Sequence, residues 1–211
     1  MDDLTLYLEA TKFIDCEHKS VQRLSAELAA GLSNDRDKAV KLFYFVRDEI
    51  RYNMYSFSSD VETFRSSYVL KKGEGWCVQK AVLLAALCRA AGIPCGLVIA
   101  SIRNHKSPPE AVKMMGTNVF FPHAFNRIYL NGRWIKATAA FDREVCERMA
   151  APAVEFDGVN DAILPDKDLN GSPYIEYVEE YGYFSDLPWQ MILEKSKAVY
   201  GKQWEVMFAS T

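Results

Sequence analysis

The sequence predicts an α+β fold in which one buried central helix packs on a mostly antiparallel sheet, with helices flanking both. Three observations predict it. Residues 78–91 are apolar nearly all round, with Val82, Leu83, Leu84, Ala85, Ala86 and Leu87 in succession, and they stop at Gly92 with Pro94 just beyond. An apolar helix with that ending is enclosed on every side by the rest of the protein. Asn131-Gly132 separates two runs, 120–130 and 134–140, that are rich in aromatic and β-branched residues, the strongest short sign of a hairpin. Helical spacing precedes and follows these strands rather than alternating with them.

In chain order, Ser20 caps a helix over 21–32, which the Gly31–Asn34 stretch ends. A second helix covers 35–50, its apolar positions Val40, Phe43, Val46 and Ile50 falling at three-to-four spacing. Residues 52–55 read as extended, 56–64 as a Ser- and Asp-rich loop, and 67–72 as one helical turn. After the central helix, 95–103 is a short apolar run of the kind that forms an inner strand. Residues 104–118, with Pro108, Pro109 and Gly116, are expected to be irregular. The tail reads as helical over 142–149 and 188–204, with turns at Asp157-Gly158, Asn170-Gly171 and Pro173. This is read as one domain across 1–211, with its core at about 35–142 and a helical C-terminal extension over 143–211.

The 211 residues are 49% hydrophobic, enough for a substantial core, and carry a net charge of −3 with no basic stripe. Nucleic acid is therefore not an expected partner. The acidic start, Met1-Asp2-Asp3, has no hydrophobic signal region, and no apolar run reaches the length of a membrane span. Five cysteines, at 16, 77, 88, 95 and 146, form no Cys-x-x-Cys pair, which fits a reducing cytoplasm. Three histidines without ligand spacing, and no acidic loop of calcium type, predict no metal and no cofactor. No long heptad or exposed apolar stripe points to an obligate assembly.

The chemistry concentrates at Gly73-Glu74-Gly75-Trp76-Cys77. Cys77 stands at the N-terminus of the central helix, where free amides and the helix dipole favour a thiolate, the nucleophilic form of sulfur. Such a nucleophile needs a base, and the base needs an orienting group. Of His18, His105 and His123, only His123 falls on a regular element, the first strand of the hairpin. With Asn131-Gly132 as a two-residue turn, facing residues have numbers summing to 263, so His123 faces Ala140. Its same-face diagonals are then Thr138 and Asp142, within side-chain reach. Asp142 offers a carboxylate, Thr138 only a hydroxyl. Cys88 and Cys95 sit inside apolar elements and read as core; Cys88 lies roughly 16 Å along the helix from Cys77. His18 reads as structural or exposed, and His105 as a loop residue able to line a cleft. The 104–118 loop and the aromatic tail (Tyr174, Tyr177, Tyr181, Tyr183, Phe184, Trp189, Trp204) read as surface and packing elements, with a lid and a groove as their functional alternatives.

Together, Gly73-x-Gly75-x-Cys77, the following 81–94 helix ending in Gly-Ile-Pro, His123-Ala124-Phe125, Gly132-x-Trp134 and the upstream Val46-Arg47-Asp48-x-Ile50-Arg51-Tyr52 resemble the transglutaminase-like core over roughly residues 35–142. The resemblance implies a papain-like cysteine fold with Cys77 as nucleophile and His123 as base. It implies acyl transfer from an amide in a peptide, protein or small molecule, to water or to an amine; hydrolysis is the expected outcome. The family pattern places the orienting Asp four residues after the hairpin Trp, where this chain has Thr138. Asp142 is then the expected third member and Thr138 its alternative. Trp76 is the expected cleft wall, Gln79 a candidate oxyanion donor beside the Cys77 amide. The alternative reading is a non-catalytic binding module that keeps the fold with a degenerate triad.

Overall fold

The computed structural model describes residues 3–56, 58, 60–201 and 203; Trp204, which the sequence places in the last helix, lies outside them. Two helices come first, α1 (Lys19–Ala29) and α2 (Asp35–Glu49). The Asn34 side chain caps α2 by accepting from the Asp37 amide, and Asp35 and Asp37 complement the helix dipole. The cap of α1 is not Ser20 but His18, whose Nδ1 accepts from the Ser20 amide. A ring nitrogen two residues before an amide serves as well as the hydroxyl that cap preferences favour. A two-residue strand β1 (Arg51–Tyr52) runs parallel to β2 (Glu74–Gly75), with α3 (Ser66–Lys72) between them. The 56–64 segment ends in a 3-10 turn, Val61–Phe64.

The central helix α4 (Cys77–Ala90) is buried from Cys77 through Arg89. Its glycine-rich approach has a steric reason. Gly73 closes α3 at φ +69°, and a Cβ on Gly75 would stand 3.0 Å from the Cβ of Gln79. The two cations of α4 are buried because each meets several carbonyls. Lys80 Nζ donates to the Arg47 and Ile50 carbonyls at 3.1 and 2.6 Å, closing the C-terminus of α2. Arg89 donates to the Cys95, Glu9 and Ser185 carbonyls.

Four strands form the main sheet in the order β5-β4-β3-β6: β3 (Cys95–Asn104), β4 (Val119–Leu130), β5 (Arg133–Ala137) and β6 (Ile175–Phe184), all neighbours antiparallel. The hairpin register is the one expected, Leu130 opposite Arg133 through Asn126 opposite Ala137, with Asn131 and Gly132 both at positive φ. On one face Leu97, Ile99, Ala124 and Ile128 join α4 in the large core. On the other, Val98, Ala100 and Phe125 make a small cluster against Tyr177.

Three elements depart from the sequence reading. The extension is not all helical. Beside α6 (Arg143–Arg148) and α7 (Trp189–Tyr200) it supplies β6, the edge strand of the main sheet. Its Glu176, Glu179 and Glu180 mask the period-2 signal, as charges on an exposed edge do. Residues 104–118 include a short helix, α5 (Pro109–Met115), started by its prolines and stopped by Gly116 at φ +71°. Finally, β5 ends at Ala137, short of the expected Ala140. The Thr138 amide turns instead to the Ala162 carbonyl at 2.8 Å.

Candidate active site

Cys77 opens α4 and is the least buried of the five cysteines, at 7% exposure; all five are free thiols. Its Sγ reaches β4 at the two peptide groups that flank His123. The thiol donates to the Pro122 carbonyl at 3.8 Å, and the Ala124 amide donates to the sulfur together with the amides of Cys77 and Val78. No β5 residue pairs with β4 before Asn126, so this stretch of the edge is left for the sulfur.

Three amides and a helix N-terminus favour a sulfur anion, yet burial outweighs them and pushes the thiol up to about 11. His123 is 2% exposed, and burial alone pushes its imidazole down to about 3. Both groups are therefore neutral at pH 7 in this structure. The helix-terminus argument for a resting thiolate gives the right direction for one contribution but not the balance.

The His123 ring lies on the sheet face opposite α4, its centroid 5.9 Å from Phe125 and 5.8 Å from Tyr177. Its Nε2 has no hydrogen-bond partner among the described residues. Asp142 does not orient it. Because β5 stops early, Asp142 becomes the N-cap of α6, accepting from the Val145 amide at 2.9 Å, and its other oxygen accepts from the Tyr52 amide at 2.7 Å. Both carboxylate oxygens are thus committed to backbone. Thr138 is buried, and its hydroxyl faces that of Tyr177 short of a well-formed hydrogen bond. Tyr177 carries that connection onward, since its ring also packs on His123.

Gln79 is likewise committed: its Oε1 accepts from the Trp76 amide at 3.2 Å, and its Nε2 donates to the Thr63 carbonyl at 2.9 Å. This leaves the Cys77, Val78 and Ala124 amides as the donors beside the sulfur. Trp76 is buried edge-on against Phe64 and packs rather than lining an open cleft. An open cleft of about 790 Å³ lies elsewhere, bordered by His105, Val154, Ile163, Pro165, Glu176 and Tyr177. His105 does line it, 3.4 Å from Glu176. Tyr177 was unremarkable in the sequence as one of many tail aromatics; only its place on the edge strand beside β3 brings it to His123.

A sequence profile of the transglutaminase-like superfamily matches residues 22–139. The chain belongs to this superfamily. Among solved structures it resembles a candidate cysteine protease from Cytophaga hutchinsonii, with a TM-score of 0.53 and 18% identity over 87% of this chain and 55% of that one. It also resembles the periplasmic domain of TgpA from Pseudomonas aeruginosa, with a TM-score of 0.48 and 17% identity over 66% of this chain and 48% of that one. The first of these bears out the fold; this chain spans about half the length of either. No curated protein matches. Among the described residues no helix is long and apolar enough to cross a membrane.

Proposed function

We propose that this superfamily member is a cysteine-dependent enzyme that transfers acyl groups from amides, with water as the acceptor. The observation that carries the reading is the seating of Cys77: one sulfur at the start of a buried helix, met by the amides of Cys77, Val78 and Ala124, on the strand that presents His123. The naming of one solved relative as a candidate cysteine protease supports it.

With a thiol at about 11 and an imidazole at about 3, no ion pair waits in the resting site. The proton therefore leaves sulfur as the carbon–sulfur bond forms. His123 accepts it as general base, and the amides beside the sulfur stabilise the oxygen that becomes negative. The imidazolium then protonates the departing amine, leaving a thioester on Cys77, and water returned through His123 releases the acid. An amine in place of water gives transamidation. Five free, buried thiols support a reducing, cytoplasmic setting.

The test is turnover of a pool of N-blocked glutaminyl and asparaginyl peptides, with ammonia release and thioester mass followed together. Adducts on Cys77 that vanish in Cys77→Ala support the reading, and ammonia release that survives Cys77→Ala contradicts it. The second reading, a binding module without catalysis, is favoured by Thr138 at the orienting position and by a His123 Nε2 without a partner among the described residues. It predicts neither adduct nor ammonia.

A further inference from the structure

The face of the sheet that carries His123 holds a residue for which the acyl-transfer scheme has no role. Tyr177, near the start of β6, touches three things at once. Its ring meets the His123 imidazole at 5.8 Å with an interplanar angle of 66°, and Phe125 at 5.7 Å and 82°. Its hydroxyl accepts from the Leu164 amide at 3.3 Å and faces the buried hydroxyl of Thr138. Its remaining surface borders the 790 Å³ cleft. The backbone fixes this placement, because β6 pairs with β3 from Leu97–Phe184 to Asn104–Ile175 and sets Tyr177 opposite Ile102.

We propose that Tyr177 is the positioning residue of the site: it fixes the His123 ring with its own ring, is itself anchored at Leu164 and beside Thr138, and forms the wall between the imidazole and the open cleft. This rests on the acyl-transfer reading for its purpose but not for its geometry. With no carboxylate on His123, ring orientation falls to packing, supplied by the rings of Phe125 and Tyr177, and of these two Tyr177 is the one whose hydroxyl is anchored, at the Leu164 amide. Edge-to-face contact of this kind is directional and so favours one ring orientation. The same side chain keeps water from the imidazole, so its removal joins the cleft to His123. The titratable groups around this pocket are the Cys77 thiol from α4, the Tyr177 phenol and Glu180 from β6, and Lys136 from β5, which pairs with Glu180 and lies over the Phe125 ring. Burial alone sets the His123 shift, with no charged neighbour contributing.

The test is the pH titration of the His123 imidazole by NMR in the full chain, wild type against Tyr177→Ala and Tyr177→Phe, the resonance being assigned with His123→Gln. Acetylation of Cys77 by p-nitrophenyl acetate is followed on the same samples. In Tyr177→Ala the His123 midpoint is expected to rise by at least one pH unit toward the ordinary value near 6.5, and the pH profile of Cys77 acetylation to move with it. In Tyr177→Phe the ring stays and the anchor goes, and acetylation is expected to fall about tenfold with the melting temperature nearly unchanged. A folded Tyr177→Ala whose His123 titration and acetylation profile match wild type overturns the proposal. Should the alanine variant not fold, an acetylation rate and profile unchanged in Tyr177→Phe overturns it. A moved titration with no acyl-enzyme in any variant defeats the acyl-transfer reading and leaves the placement of Tyr177 standing.

Discussion

The two faces of the main sheet are built on different rules. On the α4 side, aliphatic residues of β3 and β4 meet an apolar helix and its cations are paired: Lys80 caps two carbonyls and Arg89 three, and Asn126 Nδ2 donates to the Ala81 carbonyl at 2.9 Å, though Asn126 Oδ1 has no partner among the described residues. On the other side the residues are aromatic and ionisable. Arg127 lies over the rings of Tyr7, Trp134 and Tyr183, His123 lies between Phe125 and Tyr177, and the His123 Nε2 is unpartnered among the described residues. The first face is what a sheet needs to fold. The second keeps the His123 imidazole under desolvation without a partner for its Nε2 among the described residues, an arrangement that costs stability and is common where chemistry is done. Cys77 joins the two, rooted in the α4 face with its sulfur on the strand edge beside His123.

The sharpest way to break this contrast is acid. His123 is held down to about 3 in the folded chain, against about 6.5 when unfolded. Between those values the unfolded chain binds the extra proton, so stability falls as pH drops from 6.5 toward 3 and is indifferent to this group above 6.5. At about 1.4 kcal/mol per pKa unit, the loss reaches several kcal/mol, and His123→Gln should remove most of that slope. Denaturant unfolding at pH 6.5, 5.5 and 4.5 measures it; an identical slope in the variant would mean that His123 is hydrated in solution.

An effect of similar size, in a different window, belongs to the α4 face. Burial lowers Lys80 from 10.5 to about 7. The unfolded chain is the more protonated between these values, so this group adds stability as pH rises from 7 to 10.5 and nothing further beyond. Lys80→Met should flatten that rise. It should also cost about 2 kcal/mol at high pH, where the Arg47 and Ile50 carbonyls lose their donor. Equal slopes in calorimetric unfolding at pH 7, 8.5 and 10 would refute the buried placement.

The smallest effect separates capping from catalysis. Asp142→Ala removes the α6 cap and the bond to the Tyr52 amide and should cost about 1–2 kcal/mol. It should leave Cys77 acetylation unchanged, since both oxygens of its carboxylate accept from backbone amides rather than from His123. A hundredfold fall in acetylation would restore Asp142 as the orienting residue.

The α4 face was readable in the sequence because it follows periodic rules. The largely apolar 78–91 run gave a buried helix, and Asn131-Gly132 gave both the hairpin and its register. Cys77 and His123 were readable through their spacing within the family pattern. What the sequence concealed arises from contacts that no local rule encodes. The early end of β5 turns on the Thr138 amide finding the Ala162 carbonyl, a partner 24 residues away in the chain, and it is this that moves Asp142 from a strand face to a helix cap. The strand β6 carries three glutamates because it is an edge, so its pattern looks like a loop, and Tyr177 was lost with it. Desolvation of Cys77 depends on the whole surrounding packing, whereas the helix-terminus contribution is local and therefore visible.

The most direct test of the central claim, that Cys77 with His123 forms an acyl-enzyme, is peptide mass mapping after brief exposure to p-nitrophenyl acetate, in wild type and His123→Ala. The account predicts one hydroxylamine-labile acetyl group, on Cys77 and on none of the other four cysteines, formed at least about 100-fold more slowly without His123. Acetylation spread over several cysteines, or equal on Cys77 with and without His123, would contradict it.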